Sequence, residues 1–192
     1  HFYDLTGGTA SGMTDSKLPD GQAGAEKALN HALVGNAGAN MIYESAGMHA
    51  SLLGFSLESL VIDNDIIGAT QRTIKGIEVN DERLSFETIK DVCLNGPGHF
   101  LGSDQTLQLM QTEYLYPGVG DRKSPNEWNE QGALDVAQRA MAKVEEILGH
   151  NFPSHIAESV DAEIRRRFPV KLDRAHMLPP VDSAAARRVG SR

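Results

Sequence analysis

The stretch Thr6–Gly24, TGGTASGMTDSKLPDGQAG, constrains this chain more than any other. A short apolar run, Phe2–Leu5, leads into it, and an alanine-rich helical pattern follows. Strand, glycine-rich loop, helix is the order that puts a loop at the carboxyl end of a parallel strand. In α/β barrels and open α/β sheets, ligands bind at that end. The five glycines of the stretch permit left-handed backbone and close approach of a ligand. The same residues also suit a plain βα connection, with Asp20 capping the next helix.

From Gln22 to Ala37, the residues Ala25, Ala28, Leu29, Ala32 and Leu33 fall on one helical face, which is expected to pack on a sheet. Ala39–Tyr43 then reads as a second strand, completing a βαβ unit. A second loop, Glu44–Phe55, adds His49 and an acid directly after that strand. Ser56 is placed to cap a helix over Leu57–Lys75, with Asn64 on its apolar face and in need of a partner. After Gly76 the alternation stops and helices follow alone, over Ser85–Leu94 and Ser103–Glu113. Another opens at Ser124-Pro125-Asn126-Glu127 and is expected to run unbroken to Leu148. His155–Arg167 gives a last helix with Asp161/Arg165 and Glu163/Arg167 spaced i, i+4, and a Pro-, Ala- and Arg-rich tail closes the chain. The expected divisions are therefore 1–78, 79–152 and 153–192. The chain starts at His1 in mid-pattern and reads as the later part of something longer.

A net charge of −8, from 18 basic and 26 acidic residues, argues against a nucleic-acid surface and suits a cationic ligand. No run approaches membrane-span length, and the single Cys93 cannot form an internal disulfide. A soluble, cytoplasmic protein is the expectation. No cluster of Cys and His has zinc spacing, so no metal site is expected, and neither a nucleophile elbow nor a P-loop occurs.

The two loops remain. They offer Asp15, Lys17, Gln22, Glu44, His49 and Phe55, with Tyr43 at the strand end. Carboxylates beside aromatic faces suit a quaternary or tertiary ammonium. The residues leave His49 open between a ligand contact and a hydrogen-bonded loop histidine, and Lys17 between a ligand contact and a salt bridge. His99, in its glycine turn, reads as structural.

Read together, several motifs point to one family. G-G-T-A is followed by D-S-K-x-P-D-x-Q-A-G, then by L-V-I-D-N-D-I-I-G (Leu60–Gly68), G-I-E-V (Gly76–Val79) and G-H-F-L-G (Gly98–Gly102). In this order they resemble the trimethylamine methyltransferase family, over about Phe2–Leu148. The resemblance implies an α/β chain: the carboxyl-terminal part of a (β/α)8 TIM-type barrel, its last two strand–helix units, followed by a helical extension. It implies transfer of a methyl group from a quaternary or tertiary methylamine, such as trimethylamine or glycine betaine, to the Co(I) of a cognate corrinoid protein. Methanogenesis and one-carbon metabolism are the implied settings.

The chain itself would then bind no cofactor directly, the cobalamin being carried by that partner, and a homo-oligomer is allowed. Their place in the loops at the strand ends makes His49 and Glu44 the expected catalytic residues and Asp15, Lys17, Gln22, Tyr43 and Phe55 the expected substrate-binding ones. No pyrrolysine is present, which points toward members lacking it, glycine betaine methyltransferases among them. With two of eight strands, the 192 residues are not expected to be active alone. The rival readings are a non-catalytic module holding a quaternary amine or a protein partner, and another barrel enzyme acting on a phosphorylated substrate.

Overall fold

The computed structural model describes residues 3–152 and 156–179. The chain divides into two compact units, 1–140 and 141–192.

The first unit opens with β1 (Gly8–Ala10), α1 (Gly21–Asn36) and β2 (Met41–Tyr43). β1 and β2 are parallel, with Gly8, Thr9 and Ala10 opposite Met41, Ile42 and Tyr43. This is the expected βαβ unit. Its first strand, however, lies at Gly8–Ala10, within the glycine-rich stretch, and not at Phe2–Leu5. Parallel register with Met41–Tyr43 decides the matter: Gly7 O accepts from Asn40 N and Met41 N, and Gly7 N donates to Asn40 Oδ1. Tyr3 and Leu5 stand exposed ahead of the strand.

A small antiparallel hairpin, β3 (Met48–His49) and β4 (Gly54–Phe55), then leads into α2 (Leu57–Lys75). Asp20 caps α1 by accepting from Ala23 N, and Ser56 caps α2 by accepting from Ser59 N. Both helices thus start where their caps predict.

The face that α1 buries is not the one its apolar spacing predicts. Ala23, Lys27, His31 and Gly35 are buried, whereas Leu29 and Leu33 are largely exposed. On α2 the enclosed residues are Ser59 and Asp63, and Asn64 is exposed. The polar group that needs a partner is therefore Asp63. Gly35 lets the helices approach: a Cβ there would overlap the side chain of Ile74 on α2.

The helical part follows as α3 (Asp81–Leu84), α4 (Phe86–Leu94), α5 (Asp104–Thr112), α6 (Pro125–Glu130) and α7 (Val136–His150). Ser85, in left-handed backbone, separates α3 from α4. The capping box at Ser124 and Glu127 forms as expected, but the helix it opens stops at Glu130. Gly132 and Ala133 both take positive φ there, so one anticipated helix is two.

The segment 118–120 is fastened to α2 by one carboxylate. Asp65 accepts from Gly118 N and Val119 N at 2.8 Å and from Gly120 N at 3.0 Å. Replacing Asp65 by alanine is expected to destabilise the protein by about 2 kcal/mol, since hydrogen bonds to charged groups are the stronger ones. The check is the thermal midpoint, together with faster amide exchange confined to residues 118–120.

The second unit contains α7 from Met141 onward, α8 (Glu158–Arg167) and a 3-10 turn, Arg174–Met177. Asp161 accepts from Arg165 and from Arg174, each at 2.8 Å, and Glu163 pairs with Arg166 and Arg167. The i, i+4 pairs are those the spacing predicts. His155 and the tail from 180 lie outside the described residues.

The enclosed groups are unusual in kind. Among the described residues, five apolar side chains are buried: Ala23, Val92, Val119, Ala140 and Val144. Eight polar or charged residues are buried: Ser11, Thr14, Ser16, Lys27, His31, His49, Ser59 and Asp63. All eight belong to α1, α2 and the two loops that follow β1 and β2. No helix among the described residues is long and apolar enough to cross a membrane.

Candidate functional site

Because β1 and β2 are parallel, their carboxyl ends open on the same side, and the loops 11–20 and 44–56 meet there. Ser11 N donates to Tyr43 O, Ala50 N to Ser16 O and Ser51 N to Thr14 O, so backbone bonds join the loops directly. The Ser51 hydroxyl donates to Asp15. Glu26, on α1, supports the first loop from below: it accepts from the Thr14 hydroxyl at 2.5 Å, from Asp15 N at 3.0 Å and from Gln22 Nε2 at 2.8 Å. These bonds, that from Thr14 above all, hold the Glu26 carboxyl below its ordinary range and keep it ionised.

Beneath the loops lies the buried polar group. Lys27 Nζ donates to Asp63 Oδ2 at 2.6 Å, and Gly47 N donates to the same oxygen at 2.7 Å. Both side chains are about 1% exposed. His31 bonds the Ser11 hydroxyl through Nδ1 at 3.1 Å and the Ser45 carbonyl through Nε2 at 3.0 Å. His49 bonds the Ser16 carbonyl through Nδ1 at 3.1 Å and the Ser59 hydroxyl through Nε2 at 2.5 Å.

A carbonyl only accepts, so these bonds assign the tautomers. His31 carries its proton on Nε2 and accepts from Ser11, whereas His49 carries a proton on Nδ1 and turns Nε2 to the Ser59 hydroxyl. Burial holds His31 below its ordinary pKa, favouring the neutral ring this pattern requires. Every buried side-chain nitrogen and oxygen among the described residues has a partner.

Each residue expected at the site can now be located. Asp15, Lys17 and Gln22 lie exposed on or beside the first loop, Asp15 and Gln22 meeting through Glu26. Lys17 Nζ donates to the Asp15 carbonyl at 2.7 Å, a local bond and not an ion pair. Tyr43 and Glu44 are exposed at the end of β2, with Glu44 in left-handed backbone at φ 57°. Phe55 is exposed on β4, its ring lying over Gly47, where a Cβ would overlap it. His49 is enclosed at 3% exposure with both nitrogens bonded, so it sits under the loops and not at their surface.

Apolar spacing gives no hint of Glu26, Lys27, His31, Ser59 and Asp63. The signal in the sequence is the row Ala23, Lys27, His31, Gly35, in which two polar residues lie between two small ones at four-residue intervals. Among the described residues, no group of three or more His, Cys, Asp or Glu is arranged to hold a metal ion.

The family described as trimethylamine methyltransferase (MTTB) matches residues 1–172, and the chain belongs to that family. The chain is 38% identical over 177 residues to the trimethylamine methyltransferase MttB1 of Methanosarcina acetivorans, a match covering 91% of this chain and 34% of the relative. It is 35% identical over 164 residues to the trimethylamine methyltransferase MttB of Desulfitobacterium hafniense, covering 85% and 32%. It is 28% identical over 165 residues to a glycine betaine methyltransferase of that organism, covering 85% and 34%. The chain thus spans about one third of the length of the curated relatives it matches.

Proposed function

We propose that this chain acts as part of a methylamine methyltransferase that passes a methyl group from trimethylamine, glycine betaine or a similar amine to the Co(I) of a cognate corrinoid protein. The observation that carries the proposal is the family match over residues 1–172, at 38% identity to a trimethylamine methyltransferase. The βαβ unit fits the closing part of a (β/α)8 barrel, whose functional groups gather where the strands end. In this chain, that end carries Asp15, Tyr43, Glu44 and Phe55.

The chemistry asks little of the protein beyond placement. The C–N bond breaks with its electron pair left on nitrogen, which departs as the neutral amine, while the carbon bonds to the acceptor. Carboxylates and aromatic faces hold the cationic nitrogen, and the enclosed site excludes water. Asp15 and Glu44 supply the charge, and Tyr43 and Phe55 the faces. The buried His49 acts on the site through Ser16 and not by proton transfer. The 192 residues alone supply one side of such a site and are not a complete catalyst.

The test is incubation of the full-length protein carrying this segment with reduced corrinoid protein and each methylated amine, following the Co(I) absorbance. Conversion to methylcobalamin is expected with at least one amine, and none with residues 1–192 alone. Absence of conversion with every amine sinks the proposal.

A further inference from the structure

We infer that His31 is a positioning residue for this site, holding the loop after β1 and the loop after β2 in a single register. The inference rests on the methyl-transfer reading for its kinetic consequences but on geometry for its origin.

One imidazole reaches both loops: Ser11 is the first residue beyond β1, and Ser45 lies two residues beyond β2. The ring comes from α1, the crossover between those strands, so it is anchored independently of either loop. The backbone is shaped to receive it. Gly12 adopts φ 87°, and a Cβ there would overlap both the Ser45 carbonyl and the His31 ring. Only glycine leaves the ring its place.

A second observation points the same way. The second loop carries four non-glycine residues in left-handed backbone: Glu44, Ala50, Ser51 and Leu52. Such conformations cost of the order of a kcal/mol each and persist only where the surroundings over-determine them. His31 holds this loop at Ser45, Asp63 holds it at Gly47, and the first loop holds it at Ala50 and Ser51. Of these, the bond at Ser45 is the one next to Glu44 in the chain, and the Ser45 hydroxyl donates back to the Ile42 carbonyl across the same turn. Without its bond to Ser45 O, Glu44 loses its place against Asp15, although neither bonds to the ring, while Tyr43 stays held by its pairing with β1.

The experiment uses the full-length protein with His31→Ala, His31→Gln and Ser11→Ala, with kcat expressed per folded molecule. Gln retains an N–H that can reach Ser45 O, whereas Ser11→Ala removes only the bond to the first loop. His31→Ala is expected to lower kcat roughly 100-fold, as an ångström-scale misplacement does. It should also speed amide exchange in residues 11–17 and 44–51 but not along α5. His31→Gln should recover most of kcat and the protection of 44–51. Ser11→Ala should loosen 11–17 only, and it keeps the test available if His31→Ala does not fold.

Unchanged exchange in both loops, or a uniform rise across the protein, would overturn the inference, as would kcat per folded molecule equal to wild type. Because exchange is read without substrate, it reports on His31 even if no amine is demethylated; that second result would count against the methyl-transfer reading alone.

Discussion

Replacing Asp63 by alanine is expected to destabilise the protein that carries this segment by about 3–5 kcal/mol, the range for breaking a buried ion pair from one side. The change strands Lys27, whose ammonium sits 2.6 Å from Asp63 Oδ2 in a place about 1% exposed. It also leaves Gly47 N without its acceptor. An unpaired buried charge cannot recover in place what it loses in hydration, whereas a paired one is partly repaid by its partner.

The double replacement Lys27→Met with Asp63→Leu separates the two costs. It removes both charges and orphans only the Gly47 amide, so its expected cost is about 1–3 kcal/mol, that of one unsatisfied buried donor. Chemical denaturation of both variants is the measurement. A loss below 1 kcal/mol for Asp63→Ala would mean the pair is not enclosed in solution.

The second large effect is expected at Gly12. Gly12→Ala asks a side chain to take φ 87° and to occupy space held by the Ser45 carbonyl and the His31 ring. The carbonyl belongs to backbone and cannot rotate away, so the two loops must part. Backbone strain and overpacking each cost about 1–3 kcal/mol, giving about 2–6 kcal/mol together. Gly21→Ala is the control: it stands at the start of α1, and nothing lies within 4 Å of an added Cβ. That change should leave the midpoint unaltered or raise it slightly. Equal midpoints for the two variants would show that the loops yield freely.

These two sites also mark what was legible in the sequence. The caps were: Asp20, Ser56 and Ser124 each start a helix, because a cap is a local bond between near neighbours. The βαβ unit and the limits of α1 and α2 were legible for the same kind of reason. The position of β1 was not, since Gly-Thr-Ala has no apolar signature and is a strand only through its pairing with Met41–Tyr43.

The buried face of α1 was misread because hydrophobic spacing assumes an apolar interior. Here Lys27 and His31 point inward and Leu29 and Leu33 outward. The split at Gly132 was hidden by a strong cap at Ser124, eight residues before it. Of the candidate site, the exposed position of Asp15, Tyr43 and Glu44 near the strand ends was legible. The groups beneath them were not, because each bond from α1 or α2 joins positions ten or more apart in the chain.

The Lys27–Asp63 pair has a consequence over generations as well as within a molecule. The two residues stand 36 positions apart on different helices, yet neither can drift alone. A lineage that loses the lysine first inherits a stranded carboxylate, and one that loses the aspartate first inherits a stranded ammonium. Only a joint change to apolar residues, or no change, keeps the loops in place. The two positions are therefore expected to change together or not at all, leaving single substitutions to the exposed positions around them.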